Sequence, residues 1–375
     1  MINGDFDKFA GILLNAGSVL LLPHIYADGD ALGSCGALAA FLKAAGKSVT
    51  LLAGEPPENK LDFLPEISGV DFACFKGNTS VEKEKFDAAV AVDCASPERL
   101  GGRLKLFEKA TVKMRIDHHA SGTDFCTETL LDPEWAATAE GIYLLLNRMG
   151  FDRGAERPDW LTDEVEKAVS RCIYTGLLTD TGCFAYSNVT SQTHYIASRV
   201  RAFSGDMSFV SHRVYEVKTR AFTRLMKTVY SKICFPDPDV CLLVLTNDEI
   251  REAGADESDT SGIANVLRDI EGVTAGIFVK PDNVPGRYRV SIRSELSVDA
   301  GKVASLFGGG GHACAAGCVL AAKTPADLES EIGRLLEAVR ESKSCSGGRD
   351  VDASGGCEDK KDGPEENCGC RGNDR

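Results

Sequence analysis

His24-Ile-Tyr-Ala-Asp28-Gly-Asp30 sets one imidazole and two carboxylates within seven residues, directly after the apolar run 18–23. Three further signals have comparable surroundings: Asp93 follows AVAV, Asp117-His118-His119 follows TVKMRI, and Asp180 follows IYTGLL. Together they supply carboxylates from Asp28, Asp30, Asp93 and Asp180 and imidazoles from His24 and His118. Oxygen and nitrogen donors without a neighbouring thiolate suit a hard or borderline divalent ion such as Mn²⁺ better than a structural zinc. Four carboxylates in one pocket repel one another unless cations neutralise them. Six ligands from four segments are enough for two ions sharing a bridging carboxylate. Two ions about 3.5–4 Å apart can generate hydroxide from water and clamp a phosphoryl group for in-line attack.

Each residue alone has a plainer explanation. Asp93 or Asp180 would be a helix N-cap, and a lone His24 a core histidine bonded to a carbonyl. His194 and His212 keep that plainer explanation, as exposed or capping residues. Three of the six histidines nevertheless stand beside acids at the ends of apolar segments, and that coincidence favours a metal site. A second signal is Gly308-Gly-Gly-Gly311-His312-Ala-Cys-Ala-Ala-Gly317. A glycine run leading into a small-residue helix lets backbone N–H groups approach an anion. Arg293, in VSIRS, could add a forked donor to phosphate, although a single strand arginine is more often a surface ion pair.

These groups need a scaffold. At about 150 residues per domain, 375 residues suggest two domains. Apolar runs at 18–23, 48–54, 87–93 and 111–117 alternate with helical stretches, including ALGSCGALAAFLKAAG, about 135–149 and about 162–178. That alternation predicts a doubly wound α/β domain with a mainly parallel sheet over 1–205, whose strand ends form the ligand-binding rim. A polar helical linker, 206–234, leads to a smaller α+β domain over 235–342, with the proline-rich FPDPD (235–239) at the boundary. From Lys343 to Arg375 no aromatic residue, Leu or Ile occurs, and a disordered tail is expected.

Composition narrows the function. The net charge is −14, a poor basis for a track that grips long nucleic acid. No run approaches the roughly 20 apolar residues of a membrane span. The first residues lack a basic n-region, so no signal peptide is expected and a cytoplasmic location follows. Of fourteen cysteines, ten lie between Cys35 and Cys318 and read mostly as small buried hydrophobes; the other four fall in the tail.

Taken together, these residues resemble the DHH phosphoesterase superfamily. HIYADGDALGS is similar to its first motif, VAVD to its second, RIDHH to its third and TDTGCFAYSN to its fourth. VSIRS and GGGGHACAAG resemble the signatures of the DHH-associated C-terminal domain. The likeness spans about residues 10–340, and is strongest to the bifunctional oligoribonuclease and pAp phosphatase (nanoRNase) branch. Ala27, where the family often has Pro, and Cys314 depart from the pattern without removing a ligand.

The resemblance implies that His24 and Asp28 hold one Mn²⁺, that Asp30, His118 and Asp180 hold the other, and that Asp93 bridges them. His119 would face the scissile phosphate as a contact or an acid, and Asp117 would orient a neighbouring histidine or backbone. Arg293, His312, the backbone of Gly309, Gly310 and Gly311, and more weakly Asn265, would bind the substrate's terminal phosphate or base, the active site lying in the cleft between the domains. Arg99 is within reach of the same cleft. The implied reaction is metal-hydroxide attack on phosphorus in short single-stranded RNA or a small nucleotide, with a homodimer left open. Rival activities are inorganic pyrophosphate hydrolysis and cleavage of cyclic or linear dinucleotides; a nucleotide sensor without turnover is the rival outside enzymes.

Overall fold

The computed structural model describes residues 4–74, 85–120 and 122–346. The chain divides between Thr219 and Arg220 into two compact units. That division falls inside the stretch expected as a helical linker.

In the first unit the order is α1 (Phe6–Asn15), β1 (Ser18–Pro23), α2 (Gly29–Ala44), β2 (Ser48–Ala53), α3 (Leu64–Ser68), β3 (Phe72–Cys74), β4 (Ala88–Val92) and α4 (Leu104–Lys109). There follow β5 (Val112–Asp117), β6 (Glu128–Leu131), α5 (Thr138–Arg148), α6 (Asp163–Asp180), α7 (Ser191–Ser204) and α8 (Ser208–Ser211). The strands pair in the order β3-β2-β1-β4-β5-β6, every pair parallel. This is the doubly wound architecture the alternation implied. Strand β1 explains why: Val19 and Leu21 join the core of α2, α5 and α6, whereas Leu20 and Leu22 join the core of α4. A strand buried on both faces reads as a continuous apolar run. Because β1 has β2 on one side and β4 on the other, the connections leave in opposite directions there. A crevice opens at the carboxyl ends of those two strands.

The second unit contains α9 (Arg220–Lys232), β7 (Cys234–Asp237), β8 (Val240–Val244), α10 (Asn247–Glu252), α11 (Ile263–Arg268), β9 (Ala275–Pro281) and β10 (Arg287–Ser294). It ends with α12 (Ala300–Ser305), β11 (Gly310–His312), β12 (Ala315–Ala321) and α13 (Pro325–Ser346). Its sheet, β11-β12-β10-β9-β8-β7, is antiparallel except between β8 and β9. It is α+β, as expected.

One expectation is corrected here. The glycine run does not lead into a helix: Gly310–His312 and Ala315–Ala321 form a hairpin. ACAAGCVLA is in fact a strand, because Ala316, Cys318 and Leu320 alternate into a core. Most of the FPDPD segment lies in β7, an edge strand, a position in which proline is tolerated.

Helix α13 continues through Lys343, whose ammonium holds Asp239 at 2.6 Å, to Ser346. The remainder of the expected tail, 347–375, lies outside the described residues. Of the ten inner cysteines, Cys183 and Cys234 are exposed rather than buried. Among the described residues no helix is long and apolar enough to cross a membrane.

Candidate metal centre

The ends of three parallel strands and two helices meet at the crevice. His24 follows β1, Asp93 follows β4, and Asp117, His118 and His119 close β5. Asp28 caps α2, its Oδ1 accepting the N–H groups of Asp30 and Ala31 at 3.1 Å each. Asp180 is the last residue of α6, at the end of the helical stretch expected over about 162–178. Glycines bring α2 and α6 close enough to converge. A Cβ on Gly33 would stand 2.5 Å from the Cys172 carbonyl oxygen, and one on Gly176 would stand 2.7 Å from Asp30 Oδ1.

Asp93 occupies the centre. Its φ of 56° is left-handed, a conformation costing a non-glycine residue about 1–2 kcal/mol. Its Oδ2 lies 3.7 Å from His24 Nε2 and its Oδ1 lies 3.6 Å from His118 Nε2. The two oxygens thus face different imidazoles. Asp28 Oδ2 is 3.9 Å from His24 Nε2, and Asp180 Oδ2 is 3.3 Å from His118 Nε2. His24, Asp28 and Asp93 therefore form one group with ligand atoms within 4.8 Å of one another, and Asp30, His118 and Asp180 form another. A third grouping of Asp93, His118 and His119 overlaps both.

Neighbours hold these ligands. His118 Nδ1 is 3.1 Å from the Trp135 carbonyl, and the Thr138 hydroxyl donates to Asp93 Oδ1 at 2.8 Å. Fully buried Asp30 accepts from the N–H groups of Thr138 (2.6 Å) and Ala139 (3.0 Å), so it caps α5 from a different helix. Asn188 ties the segment before α5 to the end of α6, donating to the carbonyls of Ala136 (2.9 Å) and Asp180 (3.1 Å). Asp117 accepts from Arg115 Nε at 3.2 Å and lies 2.7 Å from His119 Nδ1.

The electrostatics follow from this crowding. Burial, reinforced by the charges of Asp93 and Asp180, pushes the Asp30 carboxyl well up. Burial and the Asp28 charge raise Asp93, and burial with Asp28 and Asp93 raises Asp180 well above the carboxylate range. Asp117 goes the other way. Burial opposes ionisation there, but His119 and Arg115 outweigh it and hold the carboxyl at about 2. Burial depresses the His119 imidazole, yet Asp117 and the Asp93 charge prevail and raise its pKa.

Donor chemistry tests the fit to cations. Every ligand atom in these groups is a carboxylate oxygen or an imidazole nitrogen, the set that hard and borderline divalent ions take. The repulsion that raises three carboxyls is the repulsion such cations would remove. The residues fit two divalent ions.

Comparison with known proteins agrees with this geometry. Residues 18–177 match the DHH family N-terminal domain and residues 237–344 match the DHHA1 domain. The chain is 31% identical over 332 residues to the bifunctional oligoribonuclease and PAP phosphatase NrnA of Thermus thermophilus, covering 88% of this chain and 92% of that protein.

The chain belongs to the DHH phosphoesterase family.

Its NrnA-named relative from Bacillus subtilis is 25% identical, covering 84% of this chain and 94% of that one. An exopolyphosphatase-related protein from Bacteroides fragilis has the same fold, with a TM-score of 0.78, 24% identity and coverage of 91% and 97%. As a member of this family the chain is a hydrolase of phosphate esters.

The remaining expected residues lie in the second unit of this DHH phosphoesterase. Arg293 pairs in register with Ala315, which pairs with His312, so the two stand in one row across three strands. Arg293 Nη1 donates to the Ile292 carbonyl at 3.0 Å. Gly310 and Gly311 are in β11, and Gly309 leads into it. The Asn265 amide oxygen is buried without a hydrogen-bond partner.

Sequence reading passed over Thr138, Asn188, Arg115 and the Trp135 carbonyl. One signal was available: α5 starts after Ala137, which has no capping side chain, so its first N–H groups needed an acceptor from elsewhere. Arg99 gains weight. Its carbonyl accepts the Ile25 N–H at 2.8 Å, beside His24. Its half-buried guanidinium has no hydrogen-bond or ion-pair partner among the described residues, while its charge acts on His119.

Proposed function

We propose that this phosphoesterase is a Mn²⁺-dependent oligoribonuclease and pAp phosphatase, releasing mononucleotides from short RNA and phosphate from 3′-phosphoadenosine 5′-phosphate. One observation carries the metal part: the two oxygens of Asp93 face His24 and His118 separately, as a carboxylate shared by two ions must. The substrate class rests on the likeness to relatives named as oligoribonucleases and PAP phosphatases over most of their length.

His24, Asp28 and Asp93 would hold one ion, and Asp93, Asp30, His118 and Asp180 the other. Two divalent cations there supply Lewis acidity at the phosphoryl oxygens and lower the pKa of water. The chain's own groups do the rest. Asp117 raises the His119 pKa and so favours the imidazolium, from which His119 can give a proton to the leaving oxygen. Arg99 offers a guanidinium to a non-bridging oxygen. Arg293, His312, Asn265 and the backbone of Gly309, Gly310 and Gly311 bind the substrate's far phosphate or base. The ten cysteines from Cys35 to Cys318 are free, which fits a reducing cytoplasm.

The test is a product assay with purified protein, comparing Mn²⁺ with Mg²⁺. It sets short RNA and pAp against pyrophosphate, cyclic dinucleotides and a long strand. Asp93→Ala and His118→Ala should each abolish Mn²⁺-dependent mononucleotide release. Near-wild-type turnover in either variant overturns the metal assignment, and preferential hydrolysis of pyrophosphate or cyclic dinucleotides overturns the substrate.

A further inference from the structure

The second unit carries a cavity of about 440 Å³, of whose lining the proposal above uses only Gly309. It lies on one face of β10 and β12. Strand β10 buries Val290 and Ile292 in the core of α12 and α13, so Arg287, Arg289, Ser291 and Arg293 lie on the opposite face. On the β11–β12 side that face is lined mainly by glycine. Ser291 pairs with Gly317, which pairs with Gly310, and Arg289 pairs with Val319. Gly308 and Gly309 complete the floor beside β12. A Cβ on Gly309 would stand 2.1 Å from the Gly317 carbonyl oxygen, so a side chain there would push the loop away and break the floor.

The charges around the cavity favour an anion. Arg289 Nε donates to Asp282 at 2.9 Å and its Nη1 to Glu257 at 3.0 Å, while Lys280 donates to the same Glu257 at 2.7 Å. Arg287 Nε is 3.8 Å from Asp282, and its half-exposed guanidinium makes no hydrogen bond among the described residues. Three cations thus share two carboxylates. Arg289 is fixed by its partners, and Arg287 retains donors for a ligand. The volume matches a nucleotide-sized group better than a lone phosphate, since ligand pockets begin near 300 Å³. Four residues of extended strand separate Arg289 from Arg293, about 14 Å.

We propose that this cavity is a subsite for an additional nucleotide of oligonucleotides whose phosphate lies at Arg293. Arg287 and Arg289 take the oxygens of a phosphodiester further along the strand, and the bare peptide floor receives its sugar. The inference rests on the oligoribonuclease reading and extends it: substrates of three or more nucleotides reach the subsite, and pAp does not. Substrate length, and not only the identity of the end group, is then read by the second unit.

Arg287→Glu in the full-length chain tests it, with Arg287→Lys as the conservative control. With Mn²⁺ present, KM for a pentanucleotide RNA should rise about tenfold in Arg287→Glu, the loss of one charge-assisted phosphate contact. KM for pAp should stay within about twofold of wild type, and Arg287→Lys should recover most of the pentanucleotide effect. Equal changes for both substrates, or no change for the pentanucleotide, overturn the subsite. A parallel arm measures binding of a fluorescent pentanucleotide and of pAp in EDTA, where no turnover occurs. If wild type hydrolyses neither substrate, the proposed activity falls. The binding arm then decides the subsite alone: a loss confined to the pentanucleotide supports it, and an unselective loss, no loss or no wild-type binding overturns it.

Discussion

Replacing Asp117 with Asn separates what that carboxylate does for stability from what it does for His119. Asp117 is fully buried, and its oxygens serve His119 Nδ1 at 2.7 Å, the His118 N–H at 2.9 Å and Arg115 Nε at 3.2 Å. A carboxyl held at about 2 instead of the ordinary 3.8 contributes about 2.5 kcal/mol. Because the folded pKa is depressed, that contribution is present above pH 4 and disappears as pH falls towards 2. The amide cannot replace it, since its NH₂ would face the guanidinium of Arg115, itself 2% exposed. An uncompensated buried charge costs about 3–5 kcal/mol, so Asp117→Asn should lower stability by that order.

The effect on His119 has the opposite sign. Its pKa is raised, so the imidazolium contributes stability below the ordinary histidine value, and this is lost as pH rises through the folded value. Without Asp117, His119 gives up its proton at lower pH. Acting as the acid, it should carry the alkaline limb of kcat/KM downward with it. The assay is a pH–rate profile on pAp beside a histidine titration by NMR. Adding Arg115→Met removes the orphaned guanidinium and should restore much of the stability without restoring the profile. An alkaline limb unmoved in a folded double variant would refute the role given to Asp117 and His119.

Gly33→Ala should cost about 1–3 kcal/mol, because the new methyl meets the Cys172 carbonyl at 2.5 Å and backbone cannot step aside cheaply. Since α2 carries Asp28 and Asp30 while α6 carries Asp180, the same variant should also weaken Mn²⁺ binding, read by the metal-dependent shift in Tm. Loading metal-free protein with Mn²⁺ should release protons, because Asp30, Asp93 and Asp180 are all raised and bind cations only once ionised. Apparent Mn²⁺ affinity should accordingly fall as pH is lowered from 7 to 5; calorimetry in two buffers of different ionisation enthalpy measures the protons directly, and a pH-independent affinity would contradict the crowding.

Much of the candidate metal centre was legible in one dimension. Parallel strands buried on both faces must be continuous apolar runs, and candidate ligands are to be sought where those runs stop, so His24, Asp93 and His118 stood out by position. Carboxylates and imidazoles also carry their chemistry wherever they are placed. The glycine run was misread because a stretch such as ACAAG suits a helix or a strand equally by residue size. Only the pairing of Gly310 with Gly317 and the alternate burial of Ala316 and Cys318 decide for a strand.

What tertiary structure decided are relations between segments distant in sequence. Asp30 caps α5 across 108 positions, Thr138 bonds Asp93 across 45, and Asn188 bridges Ala136 to Asp180. No local propensity encodes these, because each is a hydrogen bond whose second partner arrives only when separate elements have packed together. The pKa shifts belong here too. A carboxyl's charge state depends on its burial and its neighbours within a few ångströms, and Asp30 and Asp117, two ordinary aspartates in the sequence, are driven in opposite directions by what folding places beside them.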